Sequence, residues 1–349
     1  MTKVPDKAMK DAARLCALIA IGWLAGLLAN WLHVPLAWMI GPIVVTAILT
    51  LWLDLPAPPV AARYLGQLVV GGAVGLYLTP EALDRIIQNG PVIVVSAVVI
   101  CVIASAVGIA QVWYGGMNPA TAIYSAVPGG PLEMANQAER HGGDPARAAL
   151  AQTMRIFLVV IIFPPLLILA SDDLPPLPAA TGGWIDTLVL IAIALAVGLI
   201  ARKIRFSNPF FLGPMIAIGA LVASGIQLPS HHAGVIPAAQ ILLGISLGSM
   251  FRRSLLAGAR AFLLVSLANI GFLLVVSLGV SAAFTHLVGG SFATMALGNA
   301  PGAVTEMAIT AKVLQLDVPL VAGFQFVRIL ISLMIASIAF RIARLRRRR

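Results

Sequence analysis

The sequence predicts an all-α polytopic membrane protein made of two inverted repeats. Each repeat has five transmembrane helices and one re-entrant Pro-Gly hairpin, giving ten spans and two re-entrant elements. Three observations predict this. The 349 residues are 60% hydrophobic and only 10% charged, with a mean hydropathy of +0.99, whereas soluble domains carry roughly 25% charged residues. Polar and helix-breaking residues recur at one fixed offset along the chain. The basic residues also fall on one side of the membrane only if each Pro-Gly segment enters and returns on the same face.

Apolar stretches fall at about 11–31, 36–53, 62–80, 91–114 and 148–170, and again at about 184–201, 209–226, 235–251, 260–285 and 318–340. Most match roughly 30 Å of hydrocarbon at about 1.5 Å per residue. The chain therefore divides into a first repeat, 1–172, and a second, 173–349. Adding 173 takes Gln67 to Gln240, Gly71 to Gly244 and Gly75 to Gly248. It takes Thr121 to Thr294, Pro128-Gly129 to Pro301-Gly302, and Glu133-Met134 to Glu306-Met307. It takes Asp144 to Asp317, Gln152 to Gln325 and Arg155 to Arg328; an offset of 172 takes Gly41-Pro42 to Gly213-Pro214. Chance matching of apolar composition would pair Leu with Leu, not a polar residue with the same polar residue.

The Pro-Gly segments lie at about 119–140 and 291–313. If they crossed fully, Arg202, Lys203, Arg205, Arg252, Arg253 and Arg260 would face the side opposite both termini. If they turn back, 19 of the 23 Lys and Arg residues share one face, the cytoplasm, with both termini. Only Arg85 and Lys312 then face out, and Arg155 and Arg328 lie within spans. The acidic Asp172-Asp173 linker and His231-His232 fall outside. Each hairpin arm of eight to ten residues reaches roughly 12–15 Å, so the tips should meet near the bilayer midplane. Oppositely entering broken helices aimed at one central site are a signature of secondary transporters.

With its paired P-G-x-x-x-E-M and Q-x-x-R motifs, the Gly-Pro in the second span of each half, and the tandem duplication, the chain resembles the AbrB-type bacterial membrane proteins. These are sometimes labelled ammonia monooxygenases or transcriptional regulators. The resemblance covers nearly the whole chain. It implies an inner-membrane protein of cation/proton-antiporter or bile-acid-symporter-like architecture, and it names no substrate.

The candidate solute or ion site comprises Pro128, Gly129, Gly130, Glu133, Gln152, Arg155, Asn299, Pro301, Gly302, Thr305, Glu306, Gln325 and Arg328. Pro-Gly frees backbone groups that hydrocarbon cannot satisfy. Glu133 and Glu306 read either as carboxylates that exchange H⁺ or Na⁺ or as permanent partners of buried arginines. Arg155 and Arg328 each follow a Gln by three positions and so share a helical face with it. They read as holders of an anionic solute or as neutralising partners of the carboxylates. Asn299 matches apolar Ala126 across the repeat, so the symmetry breaks there. The glycine stripes after Gln67 and Gln240 read as close helix packing.

The expected function is a secondary active transporter for a small anionic or zwitterionic solute, coupled to H⁺ or Na⁺. The alternative is a membrane sensor that keeps a transporter fold without flux. No nucleophile-base array, P-loop or dinucleotide fingerprint is present, which argues against an enzyme. No cofactor is expected, and the five histidines lack metal-site spacing. Cys16 and Cys101 sit in apolar runs as small hydrophobes. The net charge of +10 is concentrated beside apolar segments, above all at Arg341 to Arg349, which fits anionic lipid rather than nucleic acid. Lipid and a small solute are the expected partners, with a homodimer by analogy alone.

Overall fold

A computed structural model describes residues 4–169, 182–206, 208–251, 260–288 and 291–346. Asp172-Asp173, Arg252, Arg253 and the last three arginines lie outside the described residues. Among the described residues the secondary structure is entirely helical. In chain order the helices are α1 (Val4–Trp31), α2 (Ala37–Leu53), α3 (Val60–Gly75), α4 (Pro80–Gln88), α5 (Gly90–Trp113), α6 (Pro119–Ala126), α7 (Pro131–Arg140) and α8 (Pro145–Leu169). They continue as α9 (Trp184–Lys203), α10 (Pro209–Ala223), α11 (Val235–Gly248), α12 (Arg260–Val288), α13 (Phe292–Asn299), α14 (Val304–Val313) and α15 (Val318–Arg346).

Among the described residues, six helices are long and apolar enough to cross a membrane: α1, α5, α8, α9, α12 and α15. Their outer faces carry large exposed apolar side chains such as Leu28, Val102, Leu188, Leu264, Val275 and Met334. Water would not tolerate so much contiguous apolar surface; lipid would. The protein is a helical membrane protein. The other four predicted spans, α2, α3, α10 and α11, are shorter, at 17, 16, 15 and 14 residues. Gly-Pro sits within α2 and α10. A stretch outside the predicted spans also forms a helix. α4 (PEALDRIIQ) has too little apolar length to register as a span, and its polar and apolar residues segregate by face.

The helices gather into two compact units, and each unit draws on both sequence repeats. One unit holds residues 1–84, 173–253 and 308–319; the other holds 85–172, 254–307 and 320–349.

In the first unit, α3 packs on α10 and α11 packs on α2. The third helix of one repeat thus pairs with the second helix of the other, twice. Glycines allow it. A Cβ on Gly244 would lie 2.7 Å from the Met39 carbonyl oxygen, and one on Gly248 would lie 2.5 Å from that of Ile43. Gly71 and Gly75 make the matching approaches to the Phe211 and Met215 carbonyls. The repeat is also written in the backbone. His33 and Leu36 take left-handed conformations before α2, and Arg205 and Asn208, 172 positions later, do the same before α10. These identities differ, so only the geometry shows the match.

The first unit also buries His231, which packs against Gly72. Burial, and then the positive charge of Lys312, pull the imidazole down to a pKa of about 4. The unfolded chain therefore takes up a proton below about pH 6.5 that the fold refuses until about pH 4. This contributes stability above pH 6.5 that is lost as the pH falls between those values, by roughly 3 kcal/mol. Thermal unfolding should show a midpoint that drops between pH 7 and 4, and His231→Gln should flatten that drop.

Candidate site at the tips of two broken helices

Both broken helices lie where the sequence places them, and local chemistry explains each break. Asn118 caps α6, its side-chain oxygen accepting from the Ala120 and Thr121 amides. Ser291, 173 positions on, caps α13 by accepting from the Thr294 amide. Pro128 and Pro301 force the preceding residue out of the helical region. Val127 is extended at φ −71°, ψ 129°, and Ala300 sits at φ −54°, ψ 132°. Pro131 then restarts the helix at a position where its missing N–H costs nothing.

The first element folds back on itself. The Asn118 side-chain amide donates to the Gly142 carbonyl at 3.0 Å, and the Asp144 amide donates to the Thr121 hydroxyl at 2.9 Å. The start of α6 and the end of α7 therefore touch, and the Val127–Gly130 stretch is the tip of a helical hairpin.

At the tips, α8 and α15 satisfy the backbone groups that the breaks set free. Gln152 donates from Nε2 to the carbonyls of Tyr124 at 2.7 Å and Val127 at 2.8 Å. Gln325 donates from Nε2 to those of Leu297 at 2.9 Å and Ala300 at 3.0 Å, and also to Gly298. Arg155 Nη2 donates to the Gly129 carbonyl at 3.1 Å; Arg328 Nη2 donates to that of Gly302 at 2.6 Å. Apart from the Gly298 bond, each of these maps onto its counterpart by adding 173 to both residues. The polar residues of the motif therefore hold the breaks open and pair carbonyls that hydrocarbon could not satisfy. The cationic arginines also sit where α6 and α13 end, the favoured place for positive charge on a helix.

The arrangement is not symmetric throughout. Arg328 Nη1 donates to the Ala300 carbonyl of its own tip, and its Nη2 also donates to Gln325 Oε1 at 2.6 Å. Arg155 instead donates from Nε to the Pro301 carbonyl of the opposite tip at 2.7 Å. One guanidinium therefore joins the two tips. Its Nη1, fully buried, has no partner, and Arg155 is only 1% exposed. The Ser125 hydroxyl, on the last turn of α6, is also buried without a partner. Arg155 stands on α8, the most enclosed of the six long helices. The hydrogen bonds described for Arg155 and Arg328 go to carbonyls and to Gln325.

The remaining predicted residues take these places. Pro128, Pro301, Gly302, Thr305 and Glu306 are buried at the tips, with Glu306 4% exposed; Gly129, Gly130 and Glu133 are half-buried. The Glu133 carboxylate folds back over Gly130. Asn299 donates to the Ser281 hydroxyl of α12 at 3.2 Å, and Ser281 in turn bonds the Ser277 and Met295 carbonyls. The asymmetric asparagine thus ties α13 to its neighbour. Sequence reasoning missed Met134 and Met307. Each lies over the tip glycine five residues before it, so that a Cβ on Gly302 would meet the Met307 sulfur at 2.8 Å. The repeated Glu-Met was the available signal.

A family described as transition state regulatory protein AbrB matches residues 55–344. The chain belongs to the AbrB family. A relative in Bacillus subtilis (strain 168), the uncharacterized protein YhjN, is 26% identical over 343 residues, covering 90% of this chain and 88% of its own. A relative in Escherichia coli (strain K12), named putative regulator AbrB, is 25% identical over 330 residues, covering 90% of each chain. The match thus takes in both AbrB tips and all four Gln and Arg residues that hold them.

Proposed function

We propose that the protein is a secondary active transporter that works by alternating access and moves a small anionic or zwitterionic solute coupled to H⁺ or Na⁺. One observation carries this reading. A buried guanidinium joins the tips of two broken helices and leaves its Nη1 donor nitrogen uncommitted. A solute carboxylate is the natural acceptor for that donor. Ionisable groups at such depth are rare unless they work or are paired. Glu133 and Glu306 supply the coupling carboxylates, one at each tip.

The membrane layout we assign has ten spans and two re-entrant hairpins, with the second repeat inverted. The contact between the two ends of the first hairpin supports its return to the face it entered. The four short helices are assigned as spans on their apolar character, since a bilayer can thin locally around a span shorter than its hydrocarbon core. The charge distribution supports a bacterial inner membrane with both termini cytoplasmic. The glycine-packed unit reads as scaffold, and the unit with the tips as the carrier of solute.

Flux into proteoliposomes under an imposed pH or sodium gradient, with a panel of carboxylates and amino acids, tests this. At least one solute should accumulate, and Glu306→Gln should cut its gradient-driven uptake by at least about tenfold, the size of effect expected of a working intramembrane carboxylate. Uptake unchanged in Glu133→Gln and Glu306→Gln alike would remove the role assigned to them. The name of the Escherichia coli relative favours a second reading, a sensor on a transporter fold. That reading requires saturable ligand binding indifferent to any gradient.

A further inference from the structure

The second candidate site lies in the same unit as the tips but is built from different residues. A cavity of about 510 Å³ opens where both ends of the first hairpin meet the last turns of α15. Asn118 lines it from the start of α6, Arg140 and His141 from the end of α7, and Phe340 and Arg344 from α15. Phe340 forms its aromatic base, and Tyr124 lies buried behind the lining. The His141 ring lies 4.5 Å from that of Phe340 and 5.6 Å from that of Tyr124, centroid to centroid. The His141 Nδ1–H donates to the Gln137 carbonyl at 2.9 Å, which fixes the ring.

The charge is unbalanced. Arg140 and Arg344 are both exposed at the rim, neither makes an ion pair among the described residues, and no carboxylate lines the cavity. A planar carboxylate satisfies one guanidinium fork. A tetrahedral phosphate offers oxygens to two forks arriving from different helices, and Arg suits such recognition. The volume exceeds that of a bare phosphate and leaves room for an attached group. The cavity also lies at the end of the apolar span Val318–Leu345, the level at which basic residues meet anionic headgroups.

We propose that this cavity binds a phosphate-bearing anion through Arg140 and Arg344. The bound phosphate bridges the hairpin to the last helix. The chemistry is shared by an anionic lipid headgroup and a soluble phosphate ester, and the test separates them. The full-length protein is purified and delipidated. Glycerol 3-phosphate is titrated by microscale thermophoresis, and dioleoylphosphatidylglycerol is compared with dioleoylphosphatidylcholine by native mass spectrometry.

Saturable binding of one equivalent is expected for one of the two anionic probes. Binding of glycerol 3-phosphate identifies a soluble ligand; retention of phosphatidylglycerol over phosphatidylcholine alone identifies a headgroup. Arg140→Gln and Arg344→Gln should each weaken binding at least tenfold, with Arg202→Gln as a control outside the cavity. Unchanged elution on size exclusion shows that the variants are folded. The proposal is overturned if neither probe saturates, if the Arg140→Gln and Arg344→Gln variants bind like the parent, or if Arg202→Gln loses as much.

Discussion

Arg155→Lys should abolish gradient-driven solute flux, by on the order of a hundredfold or more, the size of loss that misplacing a positioning group can bring. Lysine keeps the charge but loses the planar fork. A single ammonium on a flexible stem cannot hold the Gly129 and Pro301 carbonyls in the geometry that one guanidinium gives them. It also offers no donor equivalent to the uncommitted Nη1. One buried carbonyl left unpaired costs about 1–3 kcal/mol, so the variant should fold with a modestly lowered unfolding midpoint. Arg328→Lys should behave in the opposite proportion. Its donors serve Ala300 and Gly302 of one tip and Gln325 beside it, so its loss falls mainly on the stability of that tip. Flux and thermal unfolding measured on both variants check the contrast. Equal effects of the two on flux would remove the special role given to Arg155.

Gly244→Ala and Gly248→Ala should each destabilise the protein by about 3 kcal/mol, the upper end of overpacking costs. The added methyl meets backbone rather than a side chain. It would sit 2.7 Å from the Met39 carbonyl oxygen in one case and 2.5 Å from the Ile43 carbonyl oxygen in the other. A carbonyl within a helix cannot move aside alone, so α2 and α11 must separate. Gly271→Ala on α12 is the control. Nothing lies within 4 Å of its added methyl, and Gly→Ala in a helix interior should gain up to about 1 kcal/mol. Thermal unfolding in detergent reads both. Equal midpoints for Gly248→Ala and Gly271→Ala would show that the close crossings do not hold the first unit together.

Much of the fold was legible because its signals are local. Apolar runs marked the long helices, and Pro-Gly marked both breaks, since a proline acts on its own residue and the one before it. The fixed offset paired Gln152 with Gln325 and Arg155 with Arg328. The partners of those residues were not legible. Hydrogen bonds from Gln152 to Tyr124 and Val127 depend on how α8 packs against α6, which no spacing encodes. The exchange of α3 and α11 between the second helices of opposite repeats is likewise non-local. So is the asymmetry between Arg155 and Arg328. Identical residues in identical motifs make different bonds, because only one guanidinium reaches across to the other tip. α4 escaped notice because it is short and two-faced. The left-handed residues before α2 and α10 escaped because His33 and Leu36 share no chemistry with Arg205 and Asn208.

Thiol accessibility at Ser125 tests the central claim most directly. A cysteine there is nearly isosteric with the buried, unpartnered serine, in a chain whose native Cys16 and Cys101 have been replaced. If the two broken helices enclose a solute site that opens to each side in turn, an impermeant maleimide should label position 125 from the cytoplasmic face and from the outer face. A reversed ion gradient should shift the ratio of the two rates. Labelling from a single face under every gradient would contradict the account.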